Sequence, residues 1–295
     1  MDFLPFIYLV LIVIALAAQN ISKKSYSIRC GSAGGLSFNL GCVICTLLFF
    51  VFSSGFVFDF NPSVIPYSIA FGLTYGVAVA ASFYAIKYGP LSLTSLINSY
   101  SLIIPTFWGL LFFDEKTSLT LYLGIAALMI SLFLVNLKLS GKEEISPDKK
   151  QKIDPEWYLF IALSFVGNGG CSTVQNVHQR NFDGKYKNEL MILALLIVAV
   201  SLAIIVILTE RKNIKKSFGG GWIQMVVCGG FNGLCNLLVM LCSVLMGASV
   251  MFPIISAGSI ILTALVSIFF YKEKLTKMQY AGFALGILAI VLLNI

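Results

Sequence analysis

Long apolar runs alternate with short polar breaks along this chain, and the runs are close to one length. Ten of them occupy residues 3–22, 34–53, 64–87, 91–113, 117–137, 157–178, 189–209, 222–245, 249–271 and 278–294. A hydrocarbon core about 30 Å thick takes about 20 helical residues to cross. No water reaches that depth, so the backbone groups must pair within each segment, and the pattern predicts ten membrane-spanning helices. The runs lack the strict alternation of a membrane barrel, which sets strands aside. The expected fold class is an all-α integral membrane protein.

The polar breaks carry a second regularity. Phe112-Phe113-Asp114-Glu115-Lys116 stands 158 positions before Phe270-Tyr271-Lys272-Glu273-Lys274, and the same step relates Tyr122 to Tyr280, Gly124 to Gly282, Asn136 to Asn294, Gly72 to Gly230 and Gly89 to Gly247. With an offset of 156, Gln19-Asn20-Ile21-Ser22-Lys23-Lys24 aligns with Gln175-Asn176-Val177-His178-Gln179-Arg180. The second and seventh runs match only in hydrophobicity. The chain therefore reads as two five-helix repeats, 1–137 and 157–295, joined by a polar linker at 138–156. Five crossings is an odd number, so the second copy enters the membrane inverted. Inverted repeats of this kind characterise secondary transporters, whose halves rock around a site near the midplane.

Charge refines the topology. Of the twenty Lys and Arg residues, sixteen fall at the ends of the odd-numbered runs or in the breaks after them, Lys87 being the last residue of the third run, and only Lys116, Arg180, Lys185 and Lys187 lie on the other side. The excess of basic residues in cytoplasmic loops then puts the crowded loops inside the cell and both termini outside. The net charge of +7 does not point to nucleic acid, because the cations are spread over short loops and form no basic domain. The first run reads as a retained helix, since it has no basic leader and no small-residue cleavage site. The seven cysteines lie mostly within apolar runs, and Cys42-Val43-Ile44-Cys45 sits at bilayer depth without histidine ligands, so they read as packing residues.

The motifs resemble those of the drug/metabolite transporter superfamily, in its ten-helix EamA-like branch, over essentially all of the chain. The marks are the Phe112–Lys116 and Phe269–Lys274 turns, each followed by a glycine-containing helix that ends in Asn136 or Asn294. The resemblance implies a permease or exporter for amino acids, nucleobases, sugars or other small metabolites, and it implies cytoplasmic termini, opposite to the charge bias. The related four-helix multidrug proteins carry a membrane glutamate in their first helix. Leu16 takes that place here, with Ser172 as its repeat mate, so carboxylate-based proton antiport is not carried over.

Apart from Lys87 and Glu189 at run ends, no Asp, Glu, Lys or Arg lies within the ten runs. What the runs hold is neutral polarity at helical spacing. The fourth presents Thr94, Asn98, Ser101, Pro105 and Trp108 on one face; the ninth presents Ser249, Pro253, Ser256 and Thr263, with Ser259 matching Ser101. The eighth offers Asn232, Asn236 and Ser243, the third Ser68, Tyr75 and Ser82, and the sixth Asn168, Ser172 and Gln175 among glycines. Two readings stand for such residues: glue between helices, or contacts to a solute. Convergence favours the second, because the fifth, seventh and tenth runs are almost wholly apolar and suit the lipid side.

The sequence thus predicts alternating-access transport of a small neutral, zwitterionic or weakly cationic metabolite. The candidate contacts are Tyr75, Thr94, Asn98, Ser101, Trp108, Asn168, Ser172, Gln175, Asn232, Asn236, Ser256 and Ser259, with Tyr84 and Tyr100 as further aromatic faces. A channel-like pore and a non-transporting scaffold are the alternatives. An enzyme is not expected: thirteen acidic residues and one histidine, His178, nearly all at loops or run ends, make no catalytic constellation. No cofactor or metal is expected. The partners are a small-molecule substrate and the lipid bilayer of the cell membrane, and Gly282-x-x-x-Gly286 serves either packing within the chain or a homodimer.

Overall fold

The computed structural model describes residues 3–30, 34–59, 61–88, 94, 97–113, 115, 118–136, 154–271 and 277–293. The Gly89-Pro90 turn, Asp114, Lys116, the linker from 138 to 153, the Lys272-Glu273-Lys274 turn and Asn294 lie outside the described residues.

Among the described residues the secondary structure is helical, with no strand. The ten helices are α1 (Leu4–Cys30), α2 (Gly35–Ser53), α3 (Ile65–Tyr88), α4 (Ile103–Phe112), α5 (Leu119–Asn136), α6 (Pro155–Asn181), α7 (Lys187–Thr209), α8 (Ile214–Leu245), α9 (Ala248–Tyr271) and α10 (Lys277–Leu293). Five described segments are long and apolar enough to cross a membrane: Leu4–Cys30, Gly35–Ser53, Pro62–Ile86, Lys187–Thr209 and Ile214–Leu245. Shorter apolar stretches occupy Ile97–Phe112, Leu119–Leu134, Ala248–Ser259 and Lys277–Leu293.

Two helices outrun the expected apolar spans. Helix α1 continues from residue 22 to Cys30, and α8 begins at Ile214 where 222 was expected. Polarity ends the apolar run but does not end the helix, because the two extensions hold each other. Tyr26 Oη donates to Ser217 Oγ at 2.9 Å, and a methyl group at Gly221 would sit 2.5 Å from the Tyr26 ring. Tyr26, Cys30, Phe38, Cys42, Met225 and Cys228 form one buried cluster there. The cysteines pack in this cluster as thiols.

The helices gather into two compact units that cut across the sequence repeats. One comprises residues 1–80 and 170–245; the other comprises 81–169 and 246–295, with the boundaries falling inside α3 and α6. In the first unit, α8 is packed along both α1 and α2, and α2 also packs against α7. In the second, α5 pairs with α10 and α9 with α4 and α10.

The α5–α10 contact accounts for the glycine pair of the tenth run. Ser131 Oγ donates to the Gly282 carbonyl at 2.6 Å, and a Cβ on Gly286 would meet the same hydroxyl at 2.8 Å. That face is used within the chain. Helix α7 is two-sided: Leu195, Val198, Leu202 and Val206 are buried, while Val200, Ile204, Ile207 and Leu208 are exposed apolar side chains suited to lipid.

Hydrogen bonds between helix ends obey the alternation of crossings. Glu210, after α7, bonds the start of α2; Asp59 N, after α2, donates to Glu189 Oε1 at the start of α7; and Asn181, ending α6, bonds Tyr67 near the start of α3. Asp154 N donates to the Tyr88 carbonyl at 3.2 Å, and Glu115, after α4, bonds the start of α9. Each pair joins connections separated by an even number of helices.

Candidate functional site

In the first unit, four amides from three helices join into a directed ladder. Gln175 Nε2 on α6 donates to the carbonyl oxygen and to Oδ1 of Asn236, at 3.1 and 3.3 Å. Asn236 Nδ2 donates to the carbonyl and Oδ1 of Asn232, one turn earlier on α8, at 2.9 and 3.0 Å. Asn232 Nδ2 donates to Gln19 Oε1 on α1 at 3.1 Å, and Gln19 Nε2 reaches the Phe231 carbonyl at 3.4 Å. Each amide thus passes its donor to the next acceptor in one direction, an order in which hydrogen bonds polarise one another.

Two further side chains meet this ladder at Asn232. The Tyr75 hydroxyl of α3 lies beside it. Thr46 of α2 stands 3.4 Å from Asn232 Oδ1, with the Gly229 carbonyl at 3.0 Å. Gln19 and Gln175 are buried, whereas Asn232, Asn236 and Tyr75 are half-buried. Glycines bring the elements this close. A Cβ on Gly229 would stand 2.5 Å from the Cys42 carbonyl, and one on Gly233 would stand 2.5 Å from the Phe49 ring. Gly229 and Gly233 therefore serve close packing within an unbroken helix, whereas a Cβ on Gly230 would meet open space.

The second unit holds its own polar group. Ser164 Oγ of α6 donates to Asn98 Oδ1 at 2.8 Å, and Asn98 Nδ2 donates to Ser82 Oγ of α3 at 3.1 Å. Trp157 Nε1 donates to buried Thr94 at 3.0 Å. Ser256 Oγ lies 3.5 Å from the Ser99 carbonyl, and Ser259 Oγ bonds back to the Ser256 carbonyl on its own helix at 2.9 Å. Ser101 is buried where α6 comes close: a Cβ on Gly169 would stand 2.7 Å from the Ser101 carbonyl.

The expected face of the fourth run is only partly assembled. Thr94, Ser101 and Pro105 are buried and Asn98 is half-buried, but Trp108 is 38% exposed and stacked on Phe112 at 4.3 Å. The cause is local. Tyr100–Leu102 forms a 3₁₀ turn before α4. Such a turn advances about 120° per residue against about 100° in an α-helix, so three residues rotate the remainder of the run by about 60°. The other aromatic faces are engaged too: Tyr84 stacks on Phe160 at 5.2 Å, and Tyr100 Oη donates to the Met129 carbonyl at 3.0 Å.

The twelve expected contacts therefore divide. Tyr75, Ser172, Gln175, Asn232 and Asn236 belong to the first unit, and Thr94, Asn98, Ser101, Trp108, Asn168, Ser256 and Ser259 to the second. Gln19, Thr46 and Ser164 were not among them, although two left a signal in the sequence. Gln19 is the repeat mate of Gln175, and Ser164 stands one turn before Asn168 on the same face. Thr46 left none, being a lone hydroxyl in an apolar run. No cluster of three metal-ligating side chains occurs among the described residues.

The ladder is neutral and built from amides, and apolar helices suited to lipid belong to the same unit. The sequence profile of the family described as "Sugar transport protein" matches residues 13–295. The chain belongs to that family. It is a membrane transporter, integral and multi-pass. A solved crystal structure, described only as that of a protein, shares the fold with a TM-score of 0.76 at 12% identity, covering 98% of this chain and 95% of that one. A comparison with curated proteins gives no match.

Proposed function

We propose that this member of the sugar transport family moves a neutral, hydroxyl-rich solute, of monosaccharide class, across the cell membrane by alternating access of two inverted repeats, in the manner of the EamA-like drug/metabolite transporters. The reading makes it a permease and not an enzyme. The observation that carries the substrate class is the ladder Gln175–Asn236–Asn232–Gln19. Its members offer both donors and acceptors and carry no charge. A sugar leaving water must exchange many hydrogen bonds at little net cost, and amides do this because each side chain both donates and accepts. Net gains of about 1 kcal/mol per neutral hydrogen bond suit a site that must also release its cargo.

Tyr75 adds an apolar face and a hydroxyl beside Asn232. Sugars present C–H faces as well as hydroxyls, so such a side chain complements both. In the second unit, Asn98 with Ser82 and Ser164 supplies a further neutral set.

The test is binding by the detergent-purified protein, read as thermal shift and by calorimetry, against D-glucose, D-galactose, D-xylose, D-arabinose, amino acids, nucleobases and quaternary amines, followed by uptake into proteoliposomes. A monosaccharide shift that Asn236→Ala removes, with uptake of the same sugar, is the expected result. A shift by amino acids or amines, with none by any sugar, overturns the substrate class. Unitary ion currents in planar bilayers would replace the transporter by a pore.

A further inference from the structure

Beyond Gln175 the same helix carries a second group of polar side chains that the ladder does not use. Gln179 lies one turn further along α6, about 6 Å up the axis, and it is fully buried, as are Asn176 and His178. Gln179 Nε2 lies 2.8 Å from His178 Nδ1. The amide nitrogen can only donate, so Nδ1 accepts and the imidazole proton sits on Nε2. That Nε2, together with Gln179 Oε1 and both amide atoms of Asn176, has no hydrogen-bond partner in the protein. Native structures rarely leave one such atom buried and unmatched, and here four fall within four residues.

The surroundings define a wall as well as a set of contacts. The rings of Tyr67 and Phe182 stand 5.3 and 4.7 Å from the imidazole. Asn181 Nδ2 ties Tyr67 in place with a 2.8 Å bond to its hydroxyl. All of these residues belong to the first unit, the one that holds the ladder.

On the face that Asn176 and Gln179 share, the unmatched atoms are mixed in kind: the donor Asn176 Nδ2 and the acceptors Asn176 Oδ1 and Gln179 Oε1. A carboxylate or phosphate would satisfy the donor and repel the acceptors. An ammonium would do the reverse. A hydroxyl donates and accepts at once. We infer that Asn176 and Gln179, three residues apart on one face of α6 with His178 holding Gln179, form a second hydroxyl-binding subsite for the transported solute, one helical turn beyond the amide ladder. The inference rests on the neutral-solute reading above and names residues for it that no periodicity in the apolar runs marks.

Asn176→Leu and Gln179→Met test it, being near-isosteric changes that remove the unmatched atoms without opening a cavity. The purified full-length variants are compared with wild type by thermal unfolding without sugar and by calorimetric titration with whichever of D-glucose, D-galactose, D-xylose and D-arabinose binds wild type. The expected result is a melting temperature equal to or above wild type, together with sugar affinity weakened about tenfold or more. The variants should also bind the sugar and its monodeoxy analogues equally where wild type tells them apart. Affinity within about twofold of wild type overturns the subsite whatever happens to the melting temperature, and assigns its unmatched atoms to bound water alone. If one variant does not fold, the other decides by the same criterion. Failure of the neutral-solute reading looks different, because no sugar then binds wild type at all.

Discussion

Glu115 and Ser249 meet as a carboxylate and the start of a helix it does not belong to. Glu115 accepts Ala248 N at 2.8 Å, Ser249 N at 2.9 Å and the Ser249 hydroxyl, so it caps α9 from the connection after α4. Glu210 and Ser37 repeat the arrangement in the other unit, with Leu36 N at 3.2 Å, Ser37 N at 2.8 Å and Ser37 Oγ at 2.7 Å. Helix starts leave backbone N–H groups without partners and carry partial positive charge. A carboxylate answers both, and at Gly247 and Gly109 the chain has made room for it: a Cβ there would stand 2.7 and 3.1 Å from its atoms.

Removing either clasp should therefore destabilise one helix start. Glu115→Ala and Glu210→Ala are each expected to cost about 1–2 kcal/mol, the range for a lost helix cap. The Gln variants should fall between, because the amide keeps one acceptor but turns an N–H₂ toward a donor. The two clasps share no partner, so the double variant should show the sum of the single effects. Thermal unfolding in detergent measures all of these. A Glu115→Ala protein as stable as wild type would show the clasp to be energetically idle.

A second expectation concerns Asn98, which bridges Ser164 and Ser82. Asn98→Ala leaves two hydroxyls to find other partners on their own helices, which serine does readily by bonding back one turn. The cost to stability is about 1 kcal/mol, while uptake in proteoliposomes should drop. Normal uptake by a folded Asn98→Ala protein removes Asn98 from the transport pathway and leaves it as a tie between helices.

The tenth helix gives a third case. Because a Cβ on Gly286 would meet Ser131 Oγ at 2.8 Å, Gly286→Val should push α10 away from α5 and lower the melting temperature. Small residues matter in such contacts because they let helix backbones approach closely. Size-exclusion chromatography of the variant should show the same oligomeric state as wild type. A change of state without loss of stability would instead make the glycine pair an interface between copies.

How far the sequence reached can be read from particular residues. The ten helices come from run length, since the membrane imposes both the length and the helix. Where α1 and α8 end is not given that way, because Tyr26 against Ser217 is a contact 191 positions apart. Asn232, Asn236 and Gln175 were visible as polar residues on helix faces, yet their joining into a ladder depends on the axial register of three helices, which periodicity within one helix does not contain. Gln19 was one arithmetic step away, as the repeat mate of Gln175. Trp108 left its expected face because a 3₁₀ turn intervened, and turns of that kind are set by packing. Glu115 was conspicuous within its motif, but its task was legible only once the start of α9 stood beside it.

The ladder's direction separates its two buried glutamines. Both hydrogen bonds shown for Gln175 are donations from Nε2, to the carbonyl and Oδ1 of Asn236. Gln19 instead accepts from Asn232 at 3.1 Å through Oε1, and its donation to the Phe231 carbonyl is long, at 3.4 Å. A carboxylate in place of Gln175 would face two acceptors, whereas one in place of Gln19 keeps its strongest bond. Both changes also bring an acid to bilayer depth, at a cost of several kcal/mol if ionised, so that term is common to the pair and cancels in the comparison. Gln175→Glu should therefore lower stability and sugar affinity more than Gln19→Glu does, by about 1–3 kcal/mol, the penalty for an acceptor set against acceptors in a buried site. Parallel thermal unfolding and titration of the two variants decides it. Equal losses, or a larger loss for Gln19→Glu, would mean that the donors do not run from α6 to α1.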